Sequence, residues 1–170
     1  MAFFIARTPN QLINKTQTDK RAQHMEIPLK KTLAPTLLSV SGFHVDLYGH
    51  VNHARYLEFF EAARWDCFRQ LDVELAYLAA SQALIVAKLE LDYRRAAVMG
   101  DSLAIQTRVL EIGRRKVIFQ QTLTQHAPNS SSTPVCVQAR IEFIIYDKTS
   151  KKAVSLNDEL KDILTQLLPP

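Results

Sequence analysis

Four stretches in the second half of the chain alternate apolar and polar side chains with a period of two. In 84–93, Ala87, Leu89, Leu91 and Tyr93 alternate with Lys88, Glu90 and Asp92. In 102–111, Leu103, Ile105, Thr107 and Val109 share a face, and in 116–125 Val117, Phe119 and Leu123 do. In 135–147, Val135, Val137, Ala139, Ile141, Phe143 and Ile145 stand against Gln138, Arg140 and Glu142. Period two with one apolar face predicts half-buried antiparallel strands. Ile112-Gly113-Arg114-Arg115 predicts a hairpin turn around glycine, and the Ser/Pro/Asn-rich stretch His126 to Pro134 predicts a loop. Upstream the period changes. Tyr56, Phe60, Ala63, Cys67 and Leu71 recur at spacings of three and four, which predicts one long helix over 53–71. Phe59, Phe60, Trp65 and Phe68 on it read as core residues. Leu37 to Val45 predicts a first strand, about 73–80 a shorter helix, and Asn157 to Leu168 an amphipathic terminal helix capped by Asn157. One long helix and five antiparallel strands pack most simply when the sheet curls around the helix, an α+β fold.

Charge divides the chain. Residues 1–32 carry six basic and two acidic side chains, and so hold the whole net charge of +4; the remainder is neutral. The basic balance belongs to a polar segment without periodicity, read as a mobile N-terminal extension, and 33–170 as the folded domain. Met25 offers a second start, with the upstream residues as a leader. A neutral domain removes the main support for nucleic-acid binding. No apolar run approaches the ~20 residues of a membrane span, and the first residues lack the basic flank of a secretory signal. Cys67 and Cys136 have no metal spacing and read as buried, reduced thiols of a cytoplasmic protein.

The chemistry-bearing stretch is Val45-Asp46-Leu47-Tyr48-Gly49-His50-Val51-Asn52-His53, directly before the long helix. It places a carboxylate beside a helix N-terminus, where free backbone N–H groups can receive a developing negative charge. That layout suits attack on a carbonyl, with Asp46 as base or nucleophile. The competing reading of Asp46 is a turn aspartate, since Asp-x-x-Gly makes ordinary turns. Asn52 reads equally as a helix N-cap or a catalytic group. Gly49 suits a backbone conformation closed to other residues, and Tyr48 suits a pocket wall. Glu58 and Glu61 lie on the helix, where Glu61 suits pairing with Arg64. Arg94, Arg95, Arg114, Arg115 and Lys116 are the candidate phosphate ligands, against solvated charge at strand ends.

The same residues resemble a known family. Phe43-His44-Val45-Asp46, His50-Val51-Asn52 and Ala54-Arg55-Tyr56-Leu57-Glu58-Phe59, continued by Glu61-Ala62-Ala63-Arg64-Trp65-Asp66, look like the signature of hotdog-fold acyl-CoA thioesterases of the 4-hydroxybenzoyl-CoA thioesterase superfamily. Asp92-Tyr93-Arg94-Arg95-Ala96-Ala97-Val98 with Gly100-Asp101 fits as well. The likeness covers about 35–165 and is strongest to the bacterial long-chain acyl-CoA thioesterase III family. It departs in two places: that family usually has Asn where His53 stands and Pro where Ala96 stands.

The resemblance implies a hotdog fold, a five-stranded antiparallel sheet wrapped around one long central helix. It also implies hydrolysis of medium- to long-chain acyl-CoA without metal or cofactor. By resemblance Asp46 attacks the carbonyl or activates water, the backbone N–H near His53 is the oxyanion donor, and the His53 imidazole either assists or is incidental; another branch of hotdog thioesterases uses a helix glutamate, which makes Glu61 the second candidate acid. The site is then built between subunits of a homodimer or homotetramer. Two alternatives remain in view. A thioesterase for acyl groups on acyl carrier protein would need a basic docking surface. A non-catalytic acyl-CoA-binding sensor would survive loss of Asp46. A hotdog dehydratase would need a different histidine motif.

Overall fold

The two hydrophobic periods set the layers. The structure, a computed structural model, describes residues 33–74, 82–127 and 133–169. The segment 1–32, most of the helix predicted at about 73–80 and the middle of the His126–Pro134 loop lie outside the described residues; Val73 and Glu74 are described and are not helical. The elements run β1 (Thr36–Ser39), a short 3-10 turn (Gly42–His44), α1 (Arg55–Gln70), β2 (Gln82–Tyr93), β3 (Ser102–Ile112), β4 (Lys116–Gln125), β5 (Val135–Asp147), β6 (Lys152–Ala153) and α2 (Asp158–Thr165). The sheet is antiparallel with strand order β1-β3-β4-β5-β2, and the two-residue β6 pairs with the end of β5. Among the described residues no helix is long and apolar enough to cross a membrane.

α1 buries Tyr56, Phe59, Phe60, Ala63, Cys67 and Phe68 against the inward residues of β3, β4 and β5, which form one core with them. Its sixteen residues span about 24 Å at the usual helical rise. Trp65, expected in the core, is 43% exposed and leans on Phe68. Asn157 caps α2 as predicted, its side chain accepting from the Leu160 N–H at 2.9 Å. Leu160, Ile163, Leu164 and Leu167 complete the core beside β3.

The first strand is shorter than its apolar run. β1 ends at Ser39, because the Ser41 N–H donates to His44 Nδ1 (2.9 Å) and the His44 N–H to Ser41 O (3.0 Å), winding the chain into a tight turn. β2 differs in its faces. A β-bulge at Ala87 places Val86 opposite Phe143 and Lys88 opposite Glu142. Residues opposite one another share a face. The inward set is therefore Leu84, Val86, Leu89, Leu91 and Tyr93, and Ala87 is the extra residue. β2 is also less covered than its pattern predicts: Val86, Leu89 and Tyr93 are 48%, 36% and 50% exposed. It is the last strand of the sheet, and the backbone of α1 comes closest to β3 and β1.

β1 is held to α1 through Asp66. Thr36 Oγ1 and Gln70 Nε2 donate to Asp66 Oδ2 (2.7 and 3.0 Å), and Arg69 Nη2 to Oδ1 (2.9 Å). Burial pushes the Asp66 carboxyl up, but these donors outweigh it and hold the group below its ordinary value. A carboxyl depressed in the folded state stabilises above its unfolded pKa and loses that contribution as pH falls through the folded value. Asp66→Asn is therefore expected to lower the urea midpoint at pH 7, by about 1 kcal/mol of stability. The two proteins should converge at pH values below the carboxyl's ordinary range, once the folded-state group is protonated. Equal differences at neutral and at acid pH would show that the charge contributes nothing.

Candidate active site

The chemistry-bearing stretch is fixed at both ends by isolated bridges, Val45 to Val51 and His50 to Val98. Between them the chain doubles back on Asp46. The Asp46 N–H donates to His50 O (2.8 Å) and the Gly49 N–H to Asp46 O (3.0 Å). Gly49 has φ +75°, the left-handed region that favours glycine. The Tyr48 N–H donates to Asp46 Oδ1 at 2.9 Å. Asp46 is thus a turn aspartate through one oxygen, while its Oδ2 accepts from no donor among the described residues. The turn and chemical readings are compatible on one side chain. The Val51 N–H donates to Ala97 O (2.8 Å), which fastens the stretch to the segment after β2.

The approach to α1 follows. The Asn52 N–H donates to His44 O, and the Arg55 N–H to Asn52 O, both at 2.9 Å. Asn52 Oδ1 accepts from the Ala54 N–H at 2.9 Å. Asn52 therefore satisfies two early donors, two residues before Ala54, which is the cap position of the helix itself. The His53 N–H between them donates to no acceptor among the described residues. The His53 carbonyl accepts from Tyr93 Oη at 3.0 Å.

A cavity of about 350 Å³ opens here. Of the residues predicted for the site, it brings together Asp46, His53, Arg94 and Arg95. It adds His50, Tyr56 and Tyr93, with Val51 and Ala96 as walls. Asn52, Tyr48 and Gly49 shape the turn without lining the cavity, and Tyr48 is exposed. Arg94 donates to Gln138 Oε1 at 2.8 Å and lies 3.7 Å from Asp92. Both arginine N–H groups donate to Cys136 O, at 2.8 and 3.1 Å, which turns the chain out of the sheet and sends it past the cavity.

The other basic candidates sit elsewhere. Arg114 and Arg115 occupy the β3–β4 hairpin and Lys116 opens β4. Arg114 Nε donates to Ser155 Oγ (3.1 Å), the Arg115 carbonyl accepts from the Ile145 N–H (2.9 Å), and Lys116 Nζ is 3.4 Å from Glu142. Glu61 is exposed on α1 and does not line the cavity. Its anticipated partner Arg64 instead donates to Gln121 Oε1 at 2.9 Å. Glu58 pairs with Arg55 at 2.7 Å.

Two cavity residues escaped the sequence reading as site residues. Tyr56 fell into the helical core pattern, and Tyr93 ended a strand alternation. Their rings meet edge to face with centroids 5.7 Å apart. Tyr56 Oη accepts from the Ala97 N–H at 3.2 Å. Burial raises both phenols above their ordinary pKa, so both stay protonated at neutral pH. Burial also pushes the Cys67 thiol up to about 12 and raises that of Cys136. Neither is a thiolate nucleophile at neutral pH. The cavity thus brings together a carboxylate oxygen and a backbone N–H beside a helix start, neither with a partner among the described residues, and two arginines. Such a set can attack or hydrate a carbonyl and hold a phosphorylated leaving group.

An antiparallel sheet packed on one principal helix, with an acid turn at that helix's start, is the architecture of a class of thioester hydrolases. The chain belongs to the thioesterase-like superfamily, whose family model matches residues 42–164, and it has the hotdog fold. It is 35% identical over 133 residues to the long-chain acyl-CoA thioesterase FadM of Escherichia coli (strain K12), across 78% of this chain and 98% of that one. It is 33% identical over 118 residues to the acyl-CoA thioesterase YbgC of Haemophilus influenzae, across 68% of this chain and 82% of that one. The crystal structure of YbaW, a probable thioesterase from Escherichia coli, superposes with a TM-score of 0.68 at 33% identity, covering 81% of this chain and all of that one.

Proposed function

We propose that this protein hydrolyses acyl-CoA thioesters of medium to long chain length. Water adds across the thioester bond, giving the free acid and the coenzyme A thiol. The observation that supports the reading is that one cavity is lined by Asp46, whose Oδ2 accepts from no described donor, and His53, whose N–H has no acceptor among the described residues. Asp46 attacks the carbonyl or takes the proton of an attacking water, and the His53 N–H receives the oxyanion. A donor so placed is worth about 3–4 kcal/mol of transition-state stabilisation. Asn52 holds the turn that presents this donor. Arg94 and Arg95 hold the phosphates of coenzyme A. The chain length follows the name of the relative from Escherichia coli, a long-chain acyl-CoA thioesterase. The buried, undissociated cysteines suit a reducing cytoplasm.

The test is release of free thiol from a panel of acyl-CoAs, from short to long and aromatic. Turnover that rises with chain length is the expected result. No turnover on any member removes the reading and brings carrier-protein substrates forward.

The same reading makes the protein a homodimer or homotetramer. A terminal strand of twelve residues with uncovered Val86, Leu89 and Tyr93 supports it, because an edge of that length pairs with another chain unless it is blunted. Light scattering is expected to give two or four times the chain mass, and Leu89→Glu is expected to shift it toward the monomer. A monomeric unaltered protein overturns the assembly.

A further inference from the structure

We propose that Tyr93 is a positioning residue that locks the start of α1 against the sheet and so fixes the His53 N–H relative to Asp46. The inference rests on the hydrolase reading for its kinetic consequence, though not for its structural one.

Residues 52–54 lie before the first α-helical residue, and His53 and Ala54 are exposed. Core packing does not hold the backbone at His53, and the first turn of α1 reaches back only to Ala54 O, from the Leu57 N–H (3.1 Å), and to Asn52 O. Asn52 ties one side, through the N–H groups of Ala54 and Arg55 and its own N–H on His44 O. The other side is the His53 carbonyl. Its one donor among the described residues is Tyr93 Oη, at 3.0 Å, from a residue forty positions away. That phenol is itself firmly placed. Tyr93 pairs with Val137 in the β2–β5 register, the next two N–H groups converge on Cys136 O, and its ring abuts Tyr56 at 5.7 Å. The hydroxyl thus carries the rigidity of the sheet to the peptide that follows the proposed oxyanion donor. Burial keeps the phenol protonated, so it remains a donor well above neutral pH. It does not reach the reacting atoms in this account; it acts through His53.

Displacing a donor by a fraction of an ångström costs rate more than affinity. Tyr93→Phe keeps the ring and its contact with Tyr56 and removes only the hydroxyl. Two readouts are taken on the full-length protein: steady-state kinetics on an acyl-CoA, and amide hydrogen exchange of residues 52–55. We expect kcat to fall by about tenfold with KM within about twofold, faster exchange at 52–55, and unchanged exchange across 60–68. Unchanged kcat with unchanged exchange overturns the proposal. A raised KM with kcat preserved also overturns it, and makes Tyr93 a binding contact. If the unaltered protein turns over no acyl-CoA, the hydrolase reading falls. The exchange result alone then decides whether Tyr93 fixes this turn, and unchanged exchange there overturns the proposal.

Discussion

Asp46→Asn is expected to lower acyl-CoA turnover by at least ~10³-fold while leaving the fold and the melting temperature nearly unchanged. The change is close to isosteric. The Asn amide oxygen can still accept the Tyr48 N–H that Oδ1 accepts now, and the backbone bonds from Asp46 to His50 and from Gly49 to Asp46 do not involve the side chain. The turn therefore survives. What is lost is the basicity of the second oxygen. An amide neither attacks a thioester carbonyl at a useful rate nor removes a proton from water, so both versions of the mechanism fail together. Free-thiol release with a thermal melt on the same samples checks this. A loss confined to KM would point to binding instead. Turnover within tenfold of the unaltered protein would reduce Asp46 to its turn role and shift attention to another acid. Asp46→Ala would be a poorer test, because it also removes the acceptor for Tyr48.

The largest stability effect is expected at Gln121, far from that chemistry. Gln121 is fully buried in the middle of β4. Its Nε2 donates to Phe60 O and to Thr107 Oγ1, both at 2.9 Å, and its Oε1 accepts from Arg64 Nη1 at 2.9 Å. The Arg64 guanidinium also lies 5.3 Å from the centroid of the Phe143 ring. Burial lowers the Arg64 pKa, and nearby Glu61 only partly restores it. Gln121→Leu would leave a half-buried cation without its acceptor and two oxygens without their donor. Breaking such a set from one side costs about 3–5 kcal/mol, enough to threaten a domain of ordinary stability. Urea unfolding should show a lower midpoint with an unchanged slope. Arg64→Met added to Gln121→Leu should recover more than half of the loss, because the unpaired charge is removed with its partner. A cost below about 1 kcal/mol for Gln121→Leu alone would mean that Arg64 swings to solvent.

These two residues also show what the sequence could and could not disclose. β4 and β5 run over the spans their alternation predicts, and α1 lies within two residues of its expected start and one of its end. Strong, interrupted periodicity is a local signal, and the core obeys it. Gln121 falls on the buried face of β4 between Phe119 and Leu123, where a lone polar residue breaks the pattern and reads as noise. Its reason is Arg64 and Phe60, about sixty residues away. The bulge at Ala87 was hidden for the opposite cause. Ala83-Leu84-Ile85-Val86-Ala87 is apolar throughout, so nothing marks where the inward parity changes. The turn at Ser41 depends on one imidazole nitrogen accepting a backbone bond, and no periodicity records that. In the site, the acid turn and the arginine pair were legible as motifs. The Tyr93 contact with His53 was not, because it joins a strand end to a helix start. The uncovered face of β2 was missed because alternation reports which side is apolar, not what covers it.

The way Asn52 handles the N–H groups at the head of α1 has a thermodynamic consequence. A helix start normally leaves several donors to the solvent, and a substrate oxygen arriving there must displace ordered water from all of them. Here the Ala54 and Arg55 donors are already engaged by Asn52, while the His53 N–H has no acceptor among the described residues. On the proposed mechanism these dipoles are oriented before an oxyanion forms at the His53 N–H, so little reorganisation energy is added as charge develops. Under that mechanism such a site contributes to rate rather than to ground-state affinity, and Asn52 would lower the barrier without touching a substrate atom.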